Sequence, residues 1–162
     1  MFMVTLVRND KIEFTFAGVH LKAGGQSDAM SRRWEQYEKL HTMVSNFKGQ
    51  NLIILGDFNT TGFTPKNDDF VKFSDLLTSS GLRTMSESLN CTNYWTGTLH
   101  NGKYEASVID HIVLQDKLVG SVSGITVGSH CEKFACLPTS VQDLAATYQN
   151  VSDHCPVQVT FK

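Results

Sequence analysis

Polar and apolar positions alternate near the start of this chain. Ile12, Phe14 and Phe16 alternate with Glu13 and Thr15, which predicts a strand over residues 11–21 with one buried face. Residues 2–8 form its predicted partner, because Asn9-Asp10 between the two runs is a tight-turn dipeptide. The run at 51–55 is apolar without alternation and favours a strand covered on both faces. Further strands are predicted at 107–114, 122–129 and 156–161.

Two other segments have helical spacing. From about Ser27 to Lys48, apolar residues recur at steps of three and four, namely Met30, Trp34, Tyr37, Leu40, Val44 and Phe47. Ser27 or Asp28 is the predicted cap of this helix. A second helix is predicted from Asp68 to Ser80, with Gly81 as its stop signal, and a short one near 139–148. Strands that alternate with helices predict an α/β fold with a mixed sheet.

Composition narrows the class of protein without naming a ligand. A chain of 162 residues with 41% hydrophobic and 19% charged residues is typical of one soluble globular domain or part of a larger one. A net charge of -2 gives no electrostatic argument for nucleic acid, although a metal site could recruit phosphate locally. No apolar stretch approaches the ~20 residues of a membrane span. A bacterial source and a cytoplasmic or exported location are both compatible with the sequence.

Four cysteines leave the redox state open. Cys91, Cys131, Cys136 and Cys155 permit either reduced thiols or disulfides, and the Cys131–Cys136 spacing could close a small loop. A zinc site is less favoured, because the spacings and partners form no standard ligand set.

Acids, an amide and histidines stand at the ends of predicted strands. Asp57 and Asn59 follow the run at 51–55, and His20 lies near the exit of the strand before it. Asp110 lies in the strand at 107–114, while Asp153 and His154 precede the last strand. Each alone has a structural explanation, such as a turn cap or a half-buried strand histidine. Together they predict a shared pocket, because ligands of α/β proteins bind where strand ends converge.

The motifs "NLIILGDFN", "SVIDHIVL" and "VSDHCPV" occur in this order and resemble those of the endonuclease/exonuclease/phosphatase superfamily, whose fold is DNase I-like. "FAGVHLKAGG" followed by "RRWEQYEKL" is similar to the histidine strand and helix of many bacterial members. The resemblance runs from about residue 11 to residue 161. It implies half of a four-layer α/β/β/α sandwich, a mixed sheet with helices on one face.

The resemblance covers only the second half of that domain. Nothing before residue 11 is similar to the family's asparagine or to its metal-binding glutamate. Residues 1–162 are therefore interpreted as the C-terminal part of the domain. An apolar sheet face should need a partner, either the absent N-terminal half, a second copy of the chain or another subunit.

The resemblance implies metal-dependent hydrolysis of a phosphoester. His154 would activate or orient the attacking water with Asp110 as its partner, and His20 would bind phosphate or assist the leaving group. Asp57 would orient the nucleophile or hold a metal, and Asp153 would be a metal ligand. Asn59 would donate its amide to a phosphate oxygen. The implied cofactor is Mg²⁺, with Mn²⁺ or Ca²⁺ as alternatives, because hard cations prefer carboxylate oxygens. Gly56 would allow the backbone to approach the ligand.

The substrate is less defined than the chemistry. A nuclease or related phosphodiesterase is favoured, and a phosphomonoesterase of sugar or lipid phosphates is the alternative. A catalytically incomplete half-domain that acts as a binding module is a hypothesis from another class. Lys22, Arg32 and Arg33 could contact phosphates or simply be solvated, and Tyr94 and Trp95 could stack on a base, line a lipid pocket or pack in the core.

Overall fold

The computed structural model describes residues 2–47, 49–63, 66–96, 102–140, 142–144 and 146–162. The strands are β1 (Phe2–Arg8), β2 (Lys11–His20), β3 (Leu52–Asp57), β4 (Leu82–Thr84), β5 (Asn93–Trp95), β6 (Lys103–Ser107), β7 (Asp110–Gln115), β8 (Val122–Val127), β9 (Thr139–Ser140) and β10 (Val157–Phe161). The helices are α1 (Ser27–Ser45), α2 (Asp68–Ser79), α3 (Asp116–Val119), α4 (Ser129–Lys133) and α5 (Ala146–Asn150).

A mixed sheet with the order β1-β2-β3-β7-β4 forms the centre of the fold. β2 and β3 are parallel, whereas the other neighbours are antiparallel. Asn9 and Asp10 have φ values of 51° and 59°, so the predicted turn between β1 and β2 is confirmed. The predicted α/β fold with a mixed sheet is therefore confirmed as well.

Helices α1 and α2 cover one face of this sheet. Ala17, Leu52 and Val113 lie on that face and belong to one buried cluster with Tyr37 of α1 and Phe73 of α2. The prediction of a single buried face for β2 is wrong, because Thr15 on the helix side is also only 1% exposed. Leu52, Ile53 and Ile54 are buried as the apolar run at 51–55 indicated, whereas Leu55 is 36% exposed.

The opposite face is only partly covered. A two-stranded antiparallel sheet of β8 and β10 lies over it, and Phe161 contacts Phe14 with ring centroids 6.3 Å apart. Ile53 and Leu114 are buried beneath this small sheet together with Leu118. Towards β1 the cover ends, since that strand is exposed along its whole length.

Several predicted boundaries and caps differ from the structure. α1 ends at Ser45, and the predicted end at Lys48 lies outside the described residues. Gln26 occupies the N-cap of α1 without a side-chain cap bond, so the prediction of Ser27 or Asp28 is wrong. α2 begins after Asn67, whose side chain accepts from the amides of Asp69 and Phe70. Of the predicted helix near 139–148, the described part contains β9 and the start of α5, while 141 and 145 lie outside the described residues.

Both pairs of cysteines are disulfide-bonded. The bonds join Cys91 to Cys136 and Cys131 to Cys155, so the small loop suggested by the Cys131–Cys136 spacing is wrong. The disulfides lie in a second buried cluster with Tyr94 and Leu144, at one end of the central sheet. In the described part of the chain, no helix is long and apolar enough to cross a membrane.

Candidate active site

Three of the predicted site residues stand side by side on adjacent strands. His20 pairs with Asp57 in the β2–β3 register, and Asp57 pairs with Asp110 in the β3–β7 register. Because side chains alternate along a strand, all three lie on the face opposite the helices, in line with Phe14 and Phe16. The sheet register alone therefore brings these three side chains to one edge.

Asn59 is joined to Asp57 by two hydrogen bonds. Its backbone N–H donates to Oδ1 of Asp57 at 2.7 Å, and its Nδ2 donates to Oδ2 at 2.8 Å. The same Nδ2 also donates to the carbonyl of Leu21 at 3.1 Å. Asn59 has a φ of 50°, a conformation that Asn tolerates better than most residues. In this structure the amide groups of Asn59 thus fix the Asp57 carboxylate, and Nδ2 also links Asn59 to the carbonyl of Leu21.

His154 and Asp110 form the pair that the motifs predicted. Nδ1 of His154 lies 2.9 Å and 3.1 Å from the two oxygens of Asp110. The hydrogen bond that His154 donates to Asp110 is the largest cause that raises the pKa of His154 to about 9, against an opposing effect of burial. Nε2 of His154 faces away from Asp110 and lies 3.9 Å from Oδ1 of Asp153. One ring nitrogen is therefore held by a carboxylate while the other is directed towards the open part of the site.

His20 and Asp153 form the exposed border of the cluster. The His20 side chain is 77% exposed, and its Nε2 lies 3.5 Å from Oδ2 of Asp57. Asp153 is 54% exposed, whereas Asp57 is 14% exposed. All six predicted residues thus belong to one connected cluster, which opens to solvent at the edge of the sheet. Their chemical roles stay predictions.

The pKa of the Asp57 carboxyl is raised by the balance of opposing effects. Burial is the largest cause, hydrogen bonding from Asn59 opposes it, the charge of Asp110 raises the pKa further, and the charges of His154 and His20 lower it. Asp153 adds a third carboxylate to the same cluster. Two oxygen ligands, Asp57 and Asp153, suit Mg²⁺, which usually binds one or two carboxylates with waters and substrate phosphate. The donor types therefore fit the implied cation, with its remaining ligands left to water and substrate.

A different group of side chains has the tighter metal-like geometry. Among the described residues, the ligand atoms of His130, Cys131 and Cys155 lie within 4.8 Å of one another. The two sulfurs are joined in a disulfide, so they have no thiolate to offer a metal.

Gly56 is required by the packing of two neighbouring strands. Its φ is 134°, and an added Cβ would lie 2.1 Å from the carbonyl oxygen of Val19. A close approach between β3 and β2 therefore requires glycine here, and the approach of the backbone to a ligand stays a prediction.

The loop that carries Asn59 rests on a buried ion pair. Nη2 of Arg33 lies 2.6 Å from Oδ2 of Asp69, and both side chains are 0% exposed. Asp69 also accepts from the backbone N–H of Thr61 at 2.7 Å and from Nε1 of Trp34 at 2.9 Å. Arg33 is thus neither a phosphate ligand nor a solvated residue, and both interpretations of it were wrong. Lys22 and Arg32 are exposed.

A cavity of about 480 Å³ lies beside the cluster, and Asn59 is the one predicted site residue among its described lining residues. Trp95, 40% exposed, and Phe63 supply aromatic surface, and Glu105 is an acid in its lining. The amides Asn67, Asn90 and Asn93 complete its polar surface, and no Lys or Arg is among the described lining residues. A slightly larger groove of about 540 Å³ between α1 and α2 contains none of the predicted site residues.

Solved structures share this arrangement of strands and helices. The 3′ phosphatase NExo from Neisseria, bound to a product DNA hairpin, aligns with a TM-score of 0.63 and 18% identity, over 93% of this chain and 62% of that one. The endonuclease domain of TRAS1, a telomere-specific non-LTR retrotransposon, aligns with a TM-score of 0.64 and 14% identity, over 99% and 63%. This chain has the DNase I-like fold.

An AP endonuclease from Archaeoglobus fulgidus supports the same conclusion, with a TM-score of 0.63 and 12% identity over 93% of this chain and 63% of that one. The chain with the DNase I-like fold thus spans about three fifths of the length of these solved structures. No protein-family model and no curated protein matches the sequence. The solved structures confirm, at the level of the fold, the resemblance seen in the motifs.

Proposed function

We propose that this chain carries the catalytic cluster of a metal-dependent phosphodiesterase, a hydrolase acting on ester bonds whose substrate is nucleic acid. The observation that carries the proposal is the His154–Asp110 pair, with Nδ1 and carboxylate 2.9 Å apart, on the same sheet edge as Asp57. A histidine oriented by a carboxylate is suited to handle the proton of an attacking water. The DNase I-like fold of two nucleases and a 3′ phosphatase supports this class of reaction.

The reaction is the displacement of an alkoxide from phosphorus by water. The water oxygen forms the new bond to phosphorus, the bond from phosphorus to the leaving oxygen breaks, and the water proton passes to Nε2 of His154. Asp110 keeps the imidazole in the tautomer with the proton on Nδ1 and stabilises the imidazolium that forms. His20 stands at the exposed border, where it can supply a proton to the leaving oxygen.

Asp57 and Asp153 are the residues that would hold the cation. A bound Mg²⁺ would neutralise charge on the phosphoryl oxygens and on the leaving alkoxide. Asn59 acts on Asp57 and keeps both carboxylate oxygens in a fixed orientation, so its proposed role changes from phosphate donor to positioning residue.

The cavity beside Asn59 favours nucleic acid over phosphate-rich sugars or lipids. An inositol polyphosphate would need several cations around its extra phosphates, whereas the described lining contains Glu105 and neutral amides. Aromatic surface at Trp95 with amides nearby suits a stacked base whose edge accepts and donates hydrogen bonds.

Hydrolysis by the whole chain tests the proposal. Plasmid DNA, bis-p-nitrophenyl phosphate and p-nitrophenyl phosphate are incubated with Mg²⁺ and with EDTA, using wild type, Asp57→Ala and His154→Ala. We expect metal-dependent cleavage of the first two substrates by wild type and at least a 100-fold loss in both variants. His41→Ala and Asp75→Ala, on the outer helices, are the matched controls and should keep wild-type rates. Equal rates in all variants, or preference for the monoester, would contradict the proposal.

We also propose that a further β-sheet of the same fold covers the exposed face beside the site. Phe2, Val4 and Leu6 of β1 are 67%, 55% and 46% exposed, and their register with β2 places them on the face of His20 and Asp57. Leu55 on the same face is 36% exposed. So much contiguous apolar surface is unusual on a monomer, and the small β8–β10 sheet covers only part of it.

The proposed occupant is the N-terminal part of the DNase I-like domain, since this chain spans 62% of the solved structure it matches. Light scattering with a hydrophobic dye tests the face directly. The chain with Val4→Lys and Leu6→Lys should bind less dye and remain monomeric, while the unchanged chain binds dye or self-associates. A monomer that binds no dye would show that the face needs no cover.

The two disulfides favour a location outside a reducing cytosol, because such bonds persist in oxidising compartments.

A further inference from the structure

The segment that carries His154 is tied to helix α4 by a buried disulfide. Cys155 directly follows His154 in the chain and is bonded to Cys131 of α4. Cys131 is 0% exposed and Cys155 is 5% exposed. The backbone N–H of Cys131 also lies 3.2 Å from Sγ of Cys155. The covalent link therefore anchors the residue next to the proposed base within the protein interior.

A second contact from the same helix holds the preceding residue. Nε2 of His130 lies 3.3 Å from the carbonyl oxygen of Asp153, and the backbone N–H of Tyr94 donates to the same oxygen at 3.1 Å. His130 is 1% exposed, so its ring is fixed between Tyr94 and Tyr148. His154 thus lies between two residues that are each attached to α4.

One residue connects this segment to Asp110. The carbonyl of Thr92 accepts from the backbone N–H of Cys155 at 2.8 Å. Its hydroxyl accepts from the backbone N–H groups of Ile109 and Asp110 at 3.1 Å and 3.0 Å. Thr92 therefore fixes the backbone on both sides of the His154–Asp110 pair, and it is fully buried.

We propose that the Cys131–Cys155 disulfide, together with His130, is a positioning brace for the His154–Asp110 pair, so that full activity requires the oxidised disulfide. The inference rests on the proposed phosphodiesterase function. Neither residue of the disulfide contacts the substrate; both act through the backbone of residues 153–155. Since proton transfer depends on a correctly placed imidazole, a shift of this segment by about 1 Å would reduce the rate roughly 100-fold.

Loss of the brace by reduction has a defined stoichiometry. A dithiol reductant donates two electrons and two protons, the bond between the sulfurs of Cys131 and Cys155 breaks, and two cysteine thiols form. The reductant leaves as its own disulfide. Because both cysteines are buried, the reaction requires local opening of the segment first.

The decisive variant is Cys131→Ala combined with Cys155→Ala. We expect kcat to fall roughly 10- to 100-fold, with KM within about twofold of wild type, because the Asp57–Asn59 side and its cavity are untouched. Cys91→Ala with Cys136→Ala is the matched control, since it removes the other disulfide and leaves Cys155 anchored. The control should lose less than about threefold in kcat.

Amide hydrogen exchange supplies a readout that needs no activity. In the decisive variant, the amides of residues 94 and 155 should exchange at least about tenfold faster, while that of Asn59 keeps its wild-type rate. His130→Phe retains both disulfides and the packing on Tyr94 and Tyr148, but it removes the contact with the carbonyl of Asp153. In this variant kcat should also fall and the same amides should also exchange faster. His130→Phe replaces the double variant as the test if the double variant fails to fold.

Unchanged kcat and unchanged amide exchange, both in the Cys131–Cys155 double variant and in His130→Phe, would overturn the proposal that the disulfide and His130 position His154. An inactive wild type would overturn the proposed function, while exchange at residues 94 and 155 would still decide whether the disulfide orders this segment. An equal loss of kcat in the Cys91–Cys136 control would show general destabilisation and would also overturn the specific assignment.

Discussion

On one side of the candidate site a noncovalent network supports the loop that carries Asn59, whereas on the other side disulfides support the segment that carries His154. The first side depends on Arg33 and Asp69, which are fully buried and hydrogen-bonded to each other. The second depends on Cys131 and Cys155, joined covalently within a separate apolar cluster. The two sides of the candidate site should therefore be sensitive to different treatments.

The difference shows where each side can fail. Arg33 uses its guanidinium for Asp69 and for the carbonyls of Lys22 and Gly24, so its charge is satisfied only while every partner stays in place. A thiol reductant added to the protein does not affect that network of hydrogen bonds. The disulfide side contains no buried charge that could lose its partner, but reduction of the disulfide releases the segment that carries His154. Acid, alkali and reductant should consequently act on the two sides with different strength.

Asp69→Ala should have the largest effect on stability. It leaves the Arg33 charge buried without a partner and removes the acceptor for Thr61 and Trp34, so we expect a loss of about 4 kcal/mol. Urea unfolding measures the loss, and Asp75→Ala on the exposed face of α2 is the matched control, expected within about 0.5 kcal/mol of wild type. The double change Arg33→Met with Asp69→Leu removes the unpaired charge and should recover part of the stability, while Thr61 and Trp34 stay without their acceptor. A loss below about 1 kcal/mol in Asp69→Ala would show that the ion pair does not support this side.

His111→Leu should have a smaller effect, and one confined to acid pH. His111 lies beside Asp110 in the sequence but packs against Phe58, Phe63 and Phe73 on the Asn59 side. Burial lowers its pKa to about 3, and its Nε2 has no hydrogen-bond partner among the described residues. A depressed histidine pKa means that the unfolded chain binds the proton first. Stability contributed by His111 is therefore full above its ordinary pKa of 6.5 and is lost as the pH falls towards 3.

The variant removes this proton linkage. Between pH 6.5 and 4, the slope of unfolding free energy against pH should become flatter by up to about 1.4 kcal/mol per pH unit. At pH 8 the variant should differ from wild type by about 1 kcal/mol or less, because Thr84 keeps another partner in the backbone N–H of Ser86. Parallel stability curves for the two proteins would contradict the assignment of His111 as a histidine held neutral.

The residues of the candidate site could be predicted to lie close together, whereas the residues that support them could not. Asp57, Asp110 and His154 stand at strand ends, and strand order with register is sufficient to bring the first two together. Arg33 lies on helix α1, and nothing in its spacing marked Asp69 as a partner 36 residues away. The disulfide pairing was equally open, because four cysteines allow three connectivities and only the fold brings Cys155 to α4. Long-range pairs of this kind depend on tertiary packing, which periodicity does not encode.

Asp110→Asn should have the smallest effect on stability and a clear effect on the pH dependence of the reaction. The Asp110 hydrogen bond is the main reason that the pKa of His154 is raised to about 9. A raised histidine pKa contributes stability that is present below the unfolded value of 6.5 and is lost as the pH rises through 9. The His154 side chain is 33% exposed, so solvent screening limits the loss in Asp110→Asn to about 1 kcal/mol, seen below pH 6.5 and absent above 9.

The same shift predicts an alkaline reaction. A base must be neutral, so kcat/KM of wild type should rise with pH through a midpoint near 9 and level off above it. In Asp110→Asn the midpoint should move towards 6.5 while the plateau falls, because an amide orients the imidazole less firmly than a carboxylate. Cys131→Ala with Cys155→Ala should lower the plateau with a smaller change in midpoint, which separates loss of position from loss of charge. Identical midpoints of kcat/KM against pH in wild type and Asp110→Asn would mean that His154 does not accept the proton of the attacking water. Both sides of the site would then support substrate binding and not proton transfer.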